Sequence, residues 1–220
     1  MAKAPARDYN TDIVLVDIIS FTKLSQAQQL ELIQYLTQSY SRMVEKLLSN
    51  SDMELSQMVL GFIPTGDGFY CILNSRMKGF GTILGLSFNH LSELISEKFP
   101  YFKGLRIAVH TGLVFEFTDI LGHTNYIGDG LNHCARYLEH KDYNISTVFI
   151  SKDAYASLAK FLEFYPDFEA LLFEQEFKRS RLQSFKDKHD IKWSGYLVWL
   201  RKGSVINPPN IKFNSFTHNT

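Results

Sequence analysis

Apolar residues along the chain follow two alternating periods. Ile13-Val14-Leu15-Val16 is an unbroken, largely β-branched run that predicts a buried strand, and Asp17 stands at its end. A Ser/Thr-bearing turn from Ser20 to Ser25 leads into Leu32, Ile33, Leu36, Tyr40, Met43 and Leu47, whose 3–4 spacing makes one apolar helix face. Residues 58–63 and 69–73 read as strands, and Pro64-Thr65-Gly66-Asp67-Gly68 between them has the composition of a tight hairpin. A second helix is expected over 81–98, ahead of Pro100. Residues 105–110 and 113–117 read as strands either side of Thr111-Gly112. Strands near 125–127 and 147–150, helices near 131–140 and 154–161, and a last strand at 195–200 complete the pattern.

The order β-α-β-β-α-β predicts an α+β fold: a ferredoxin-like βαββαβ sandwich with extra C-terminal strands and its helices on a face of the sheet. Residues 1–11 read as a flexible N-terminal arm, 12–202 as the folded domain and 203–220 as a tail. The charged stretch 174–193, with Lys178, Arg179, Arg181, Lys186, Lys188 and Lys192, reads as a solvated loop. Composition changes little in this picture. At 45% hydrophobic and 21% charged residues the chain is an ordinary globular protein. Cys71 and Cys134 read as reduced core thiols of a cytoplasmic protein. No apolar run is long enough for a membrane span, the first residues lack a signal core, and the formal net charge is zero. A membrane or a nucleic-acid polymer is therefore not an expected partner.

Two acids stand out by position. Asp17 closes the first strand and Asp67 sits in the hairpin, and a ferredoxin-like sheet lays that strand beside that hairpin. Two carboxylates at one sheet end repel unless a divalent cation neutralises them, and Mg²⁺ or Mn²⁺ shared with phosphates is the usual resident. Each acid alone is also what a helix cap or a turn would use. Residues 18–22, with Phe21 and Thr22, form a strand-to-helix turn whose free amides suit a polyphosphate. Asn132 and Arg136 lie four apart and share a helix face, with Leu131, Ala135 and Leu138 opposite. They could hold a ribose and a phosphorus centre, or be a surface helix whose Arg pairs with Glu139 or a nearby acid.

Together these pieces resemble the catalytic domains of class III nucleotidyl cyclases. DIISFTKLS from Asp17, TGDG around Asp67, LRIAVHTG from Leu105 and YIGDGLNHCARYLE from Tyr126 are similar, in order, to that family's motifs. Residues 141–220 match only loosely. The resemblance implies the class III cyclase fold and conversion of a nucleoside triphosphate to its 3′,5′-cyclic monophosphate and pyrophosphate. It implies two divalent cations, Mn²⁺ or Mg²⁺, on Asp17, Asp67 and the Ile18 carbonyl, with Asn132 on the ribose and Arg136 on the transferring phosphate. It also implies a homodimer with shared active sites, one chain supplying the metal site and the other the Asn/Arg helix. A Lys before the last strand would grip the outer phosphates, with Lys186, Lys188 and Lys192 as candidates; Arg106 reads as a structural strand residue.

The base-reading positions depart from the family's purine patterns. Adenylate cyclases carry Lys where this chain has Ile63, and Asp or Thr where it has Asn125; guanylate cyclases carry Glu and Cys. Ile63 leaves adenine N1 without a partner, an omission worth roughly 1–3 kcal/mol. The Asn125 amide carries a donor and an acceptor and can pair with a pyrimidine, which favours UTP over CTP and cUMP as product. The layout resembles the stand-alone bacterial pyrimidine cyclases of Pycsar-type antiphage systems, in which the product acts on a separate effector protein. An adenylate cyclase with a relaxed pocket and a catalytically silent nucleotide-binding module are the other readings. A diguanylate cyclase is disfavoured by TGDG in place of a GGDEF-like turn.

Overall fold

The computed structural model of the chain describes residues 7–48, 54–139, 147–187 and 189–202. Its elements are β1 (Asp8–Ile18), α1 (Gln26–Leu48), α2 (Leu55–Met58), β2 (Val59–Pro64), β3 (Gly68–Leu73), α3 (Gly81–Lys98), β4 (Leu105–Thr118) and β5 (Thr124–Ile127). They continue with α4 (Asp129–Tyr137), β6 (Val148–Ser151), α5 (Lys152–Phe164), α6 (Pro166–Glu174), β7 (Phe177–Arg179), β8 (Gln183–Lys186) and β9 (Lys192–Leu200). The nine strands form one sheet in the order β2-β3-β1-β4-β6-β9-β7, with β5 on β4 and β8 on β9. Only the β4–β6 pair is parallel.

β1 is the axis of the sheet, buried from Thr11 to Ile18. Val14, Val16 and Ile18 enter a large core under α1, α3, α5 and α6. Ile13 and Leu15 enter a second core on the other face, with Cys134, Tyr137 and Leu138 at α4. Helices therefore cover both faces, not one, which explains why the IVLV run does not alternate with polar residues. α4 has nine residues, too few to be stable alone, so its buried face holds it in place.

β1 also starts earlier than expected: residues 8–11, assigned to the arm, pair with β4 from Asp8↔Phe115 onward. The polar residues there are buried because their hydrogen bonds are met. Thr11 Oγ1 donates to Leu73 O at 2.7 Å. Asp12 accepts the N–H groups of Gly79 (2.7 Å) and Gly81 (2.9 Å) and the Thr111 hydroxyl (2.5 Å). The same network corrects the reading of Thr111-Gly112 as a break, since β4 runs through it unbroken. Gly112 is there for clearance: a Cβ would lie 2.7 Å from His110 Nε2 and 3.0 Å from Gly130 Cα. The stretch 174–193 is likewise not a loop, because it contains β7, β8 and the start of β9. Its charges lie on the exposed side of short strands, while Phe185 turns inward against Tyr137 and Phe149.

Candidate active site

The hairpin between β2 and β3 brings Asp67 beside the end of β1. Asp17 pairs with Gly68 in the β1–β3 register, and Ile18 N–H donates to the Asp67 carbonyl at 2.8 Å. Asp17 is buried, and burial pushes its carboxyl above the ordinary range; the neighbouring Asp67 charge adds to this, and Arg106 opposes it. Arg106 stands directly across from Asp17 on β4. Its Nε and Nη2 both donate to Asp17 Oδ2, at 2.8 and 2.5 Å. The sequence reading gave Arg106 only a structural part. The signal that could have found it is a cation inside an otherwise apolar strand, at the register position facing a strand-end acid.

Ser20 takes a left-handed conformation (φ 59°) that turns the chain from β1 into a short 3₁₀ turn over Phe21–Lys23. Phe21 is anchored in the core and Thr22 is exposed. Neither residue's backbone N–H has an acceptor among the described residues. Gln29 Nε2 braces the turn by donating to the carbonyls of Phe21 and Leu24. Beside it, an apolar cavity of about 220 Å³ is lined by Ile18, Tyr40, Phe62, Pro64 and Gly66, among others. A wider concavity of about 570 Å³ lies at the other end of β1, around Asn10, Lys78 and Lys160, away from the paired acids.

Ile63 and Asn125 come from elements joined by one side chain. The Tyr126 ring fills the space over Gly61, where a Cβ would come within 2.4 Å of it, and its hydroxyl donates to Leu60 O at 2.9 Å. β5 is thereby fastened to β2, with Asn125 next to the contact and Ile63 two residues from it. Ile63 packs against the second core, and Asn125 Oδ1 accepts the Tyr126 N–H at 2.8 Å.

On α4, Asn132 is exposed and its side chain makes no hydrogen bond to the described residues. Arg136 Nη1 donates to Glu139 at 2.8 Å, and its Nε lies 3.7 Å from Asp187 on the turn between β8 and β9. Lys186 pairs with Asp190 at 3.1 Å and stands opposite Lys192 in the β8–β9 register. Lys188 lies outside the described residues. The structure thus joins Asp17, Ile18, Asp67 and Arg106 at one sheet end, while Tyr126 ties together the two strands that carry Ile63 and Asn125. No hydrogen bond or ion pair among the described residues links the acids to Asn132 or Arg136. β4 and β6 stand between β1, which carries Asp17, and the β8–β9 turn that Arg136 approaches.

The donor set at the sheet end, two carboxylates with a backbone carbonyl nearby, is all hard oxygen. That suits Mg²⁺ or Mn²⁺ completed by phosphate and water. No cluster of three or more His, Cys, Asp or Glu that could hold a metal ion occurs among the described residues. No helix among those residues is long and apolar enough to cross a membrane.

No protein-family model matches the sequence, and no curated protein does. Solved structures match the fold. The catalytic core of a rhodopsin-guanylyl cyclase with converted specificity, in complex with ATPαS, has a TM-score of 0.57 at 17% identity, covering 91% of this chain and 100% of that one. The guanylate cyclase domain of RhGC from Catenaria anguillulae, in complex with GTP, gives 0.56 at 17%, covering 90% and 100%. An adenylate/guanylate cyclase/hydrolase from Silicibacter pomeroyi gives 0.54 at 14%, covering 91% and 100%. The chain has the fold of class III nucleotidyl cyclase catalytic domains; at these identities the likeness is one of fold.

Proposed function

We propose that this chain is a nucleotidyl cyclase that converts a pyrimidine nucleoside triphosphate, UTP ahead of CTP, to its 3′,5′-cyclic monophosphate and pyrophosphate. The observation that carries the reading is the pairing of Asp17 with Asp67 at the sheet end, in a cyclase fold, with Arg106 as the only cation on Asp17 among the described residues. Divalent cations on Asp17, Asp67 and the Ile18 carbonyl would neutralise the α-phosphate and lower the proton affinity of the 3′-hydroxyl. The 3′-oxygen attacks the α-phosphorus, the bond to pyrophosphate breaks, and the hydroxyl proton leaves to solvent. Arg106, which holds Asp17 here, would be free to donate to a phosphate oxygen when a cation takes its place on that carboxylate. The amides of Phe21 and Thr22, which have no acceptor among the described residues, would serve as donors to the same triphosphate.

Asn132 and Arg136 complete the site from a second copy, Asn132 on the ribose and Arg136 on the charge of the transferring phosphate. Two features support a homodimer. Arg136 approaches the β8–β9 turn, and β4 and β6 separate that turn from the strand that carries Asp17. Leu113, Phe115 and Phe117 alternate along β4 as exposed apolar residues, with exposed Ile127 opposite Phe115 on β5. Such a ladder of exposed apolar residues fits a self-complementary contact.

The pyrimidine reading rests on Ile63 and Asn125. Because Asn125 Oδ1 is engaged by Tyr126 N–H, its free end is the amide NH₂. With ring position 4 set against that group, uracil O4 accepts its hydrogen bond while the cytosine amino group meets it donor to donor. In this reading the cyclic nucleotide is a signal in bacterial antiphage defence and acts on a separate effector. The test is incubation of the protein with Mn²⁺ and each of the four nucleoside triphosphates, with cyclic products separated by mass. cUMP as main product supports the reading. ATP as sole substrate makes the protein an adenylate cyclase, and no cyclic product from any triphosphate overturns it.

A further inference from the structure

Arg136 is held on two sides, and the two holds are unequal. Glu139 is on the same helix, three residues on, and half-exposed. Exposed pairs of that kind are weak and do little to fix a long side chain. Asp187 is a different kind of neighbour. It closes β8 at the turn into β9, and its side chain is fully enclosed. Oδ1 accepts the backbone N–H groups of His189 (2.8 Å) and Ile191 (3.1 Å), and Oδ2 accepts the Trp193 indole N–H (3.0 Å). Burial works to push this carboxyl up, but the indole, the two amides and Arg136 hold it below the ordinary range, so it is an anion at neutral pH.

The turn is also fixed relative to the helix that carries Arg136. The Trp193 ring packs edge-on against His133 and Tyr137 of α4, with centroids 4.8 and 5.8 Å apart. A rigid anion thus sits 3.7 Å from the Nε of Arg136. Nη2 of the same guanidinium has no acceptor among the described residues. An unrestrained arginine gives up rotamer freedom when it engages a substrate, and restraint in advance removes part of that loss from the reaction.

We propose that Asp187, set in place by Trp193, is a positioning residue for Arg136: it fixes the guanidinium plane through Nε so that Nη2 is presented to the transferring phosphate in the other chain's site. The inference rests on the cyclase reading above. It also gives the β8–β9 turn a role that its charged composition concealed.

The test is steady-state kinetics of the full chain with Mn²⁺ and the triphosphate the wild type turns over, on wild type, R136A, D187N, the double variant and W193F, with a melting curve for each. D187N keeps an oxygen for the turn amides but loses the charge and the oxygen that accepts the Trp193 indole N–H. Its kcat should fall on the order of 10- to 100-fold with KM changed less than about twofold, the mark of an interaction made in the transition state. The double variant should be no slower than R136A, because Asp187 acts through Arg136. W193F, which removes the indole donor together with part of the ring packed on α4, should lose roughly 3- to 10-fold in kcat. The inference is overturned if D187N and W193F stay within about twofold of wild type, or if the D187N loss multiplies with that of R136A and tracks a lowered melting temperature. A wild type that cyclises nothing, or an R136A as active as wild type, overturns the cyclase reading itself and this inference with it.

Discussion

Stability in mildly acid solution should depend on one buried imidazole. His110 lies on β4 with its ring among His133, Tyr137 and the close-packed Gly112, and its Nδ1 has no hydrogen-bond partner among the described residues. Burial, helped by His133 and opposed by Asp153, brings its pKa from 6.5 down to about 4. Between those values the unfolded chain binds a proton that the folded chain does not, so stability is fully present above pH 6.5 and is lost as pH falls toward 4. Integrated from pH 7.5 to 4.5, the gap amounts to about 2.5 kcal/mol, a large part of a marginal protein's stability. Asp12 and Asp17, whose carboxyls are held above the ordinary range, act in the opposite sense as they protonate, so the comparison has to be made against a variant. Urea unfolding of wild type and His110→Leu at pH 7.5, 6.5, 5.5 and 4.5 isolates the term. The wild type should lose about 2.5 kcal/mol more than the variant over that range. Parallel curves would refute a neutral, enclosed His110.

Tyr126→Phe removes the hydroxyl that donates to Leu60 O and should lower unfolding free energy by about 1 kcal/mol in chemical denaturation, while the ring still fills the space over Gly61. Arg106→Leu leaves Asp17 beside Asp67 without its cation and should destabilise the chain by about 1–2 kcal/mol, a figure reduced because the guanidinium is partly exposed. Cys71 and Cys134 are enclosed, and burial raises both thiols, Cys71 to about 12. Neither should react with a thiol reagent at pH 8 until the chain is unfolded, which a timed colorimetric titration reads directly.

The parts of the fold readable in the sequence are those whose cause is local. The IVLV run, the TGDG hairpin and the 3–4 spacing of α1 each carry their own signal. Asp17 and Asp67 could be placed together because a strand and its neighbouring hairpin leave little choice of register. What escaped the reading has distant causes. Thr11 and Asp12 look like loop residues until Leu73, Gly79, Gly81 and Thr111 supply their hydrogen bonds. Thr111-Gly112 looks like a break until the rings and helix packed on it explain the glycine. The charges of β7 and β8 mask short strands whose inward residues are few. Arg106 meets Asp17, and Asp187 approaches Arg136, across separations that no local pattern encodes.

The central claim is that one chain's acids and another chain's arginine make a single cyclising site. Mixing D67N with R136A and assaying cUMP from UTP with Mn²⁺ tests it most directly. Each variant alone should be essentially inactive while still dimeric. Random re-pairing makes half the dimers mixed, each with one intact site, so the mixture should recover about a quarter of wild-type activity. A mixture as inactive as its components, beside an active wild type, would contradict the shared site.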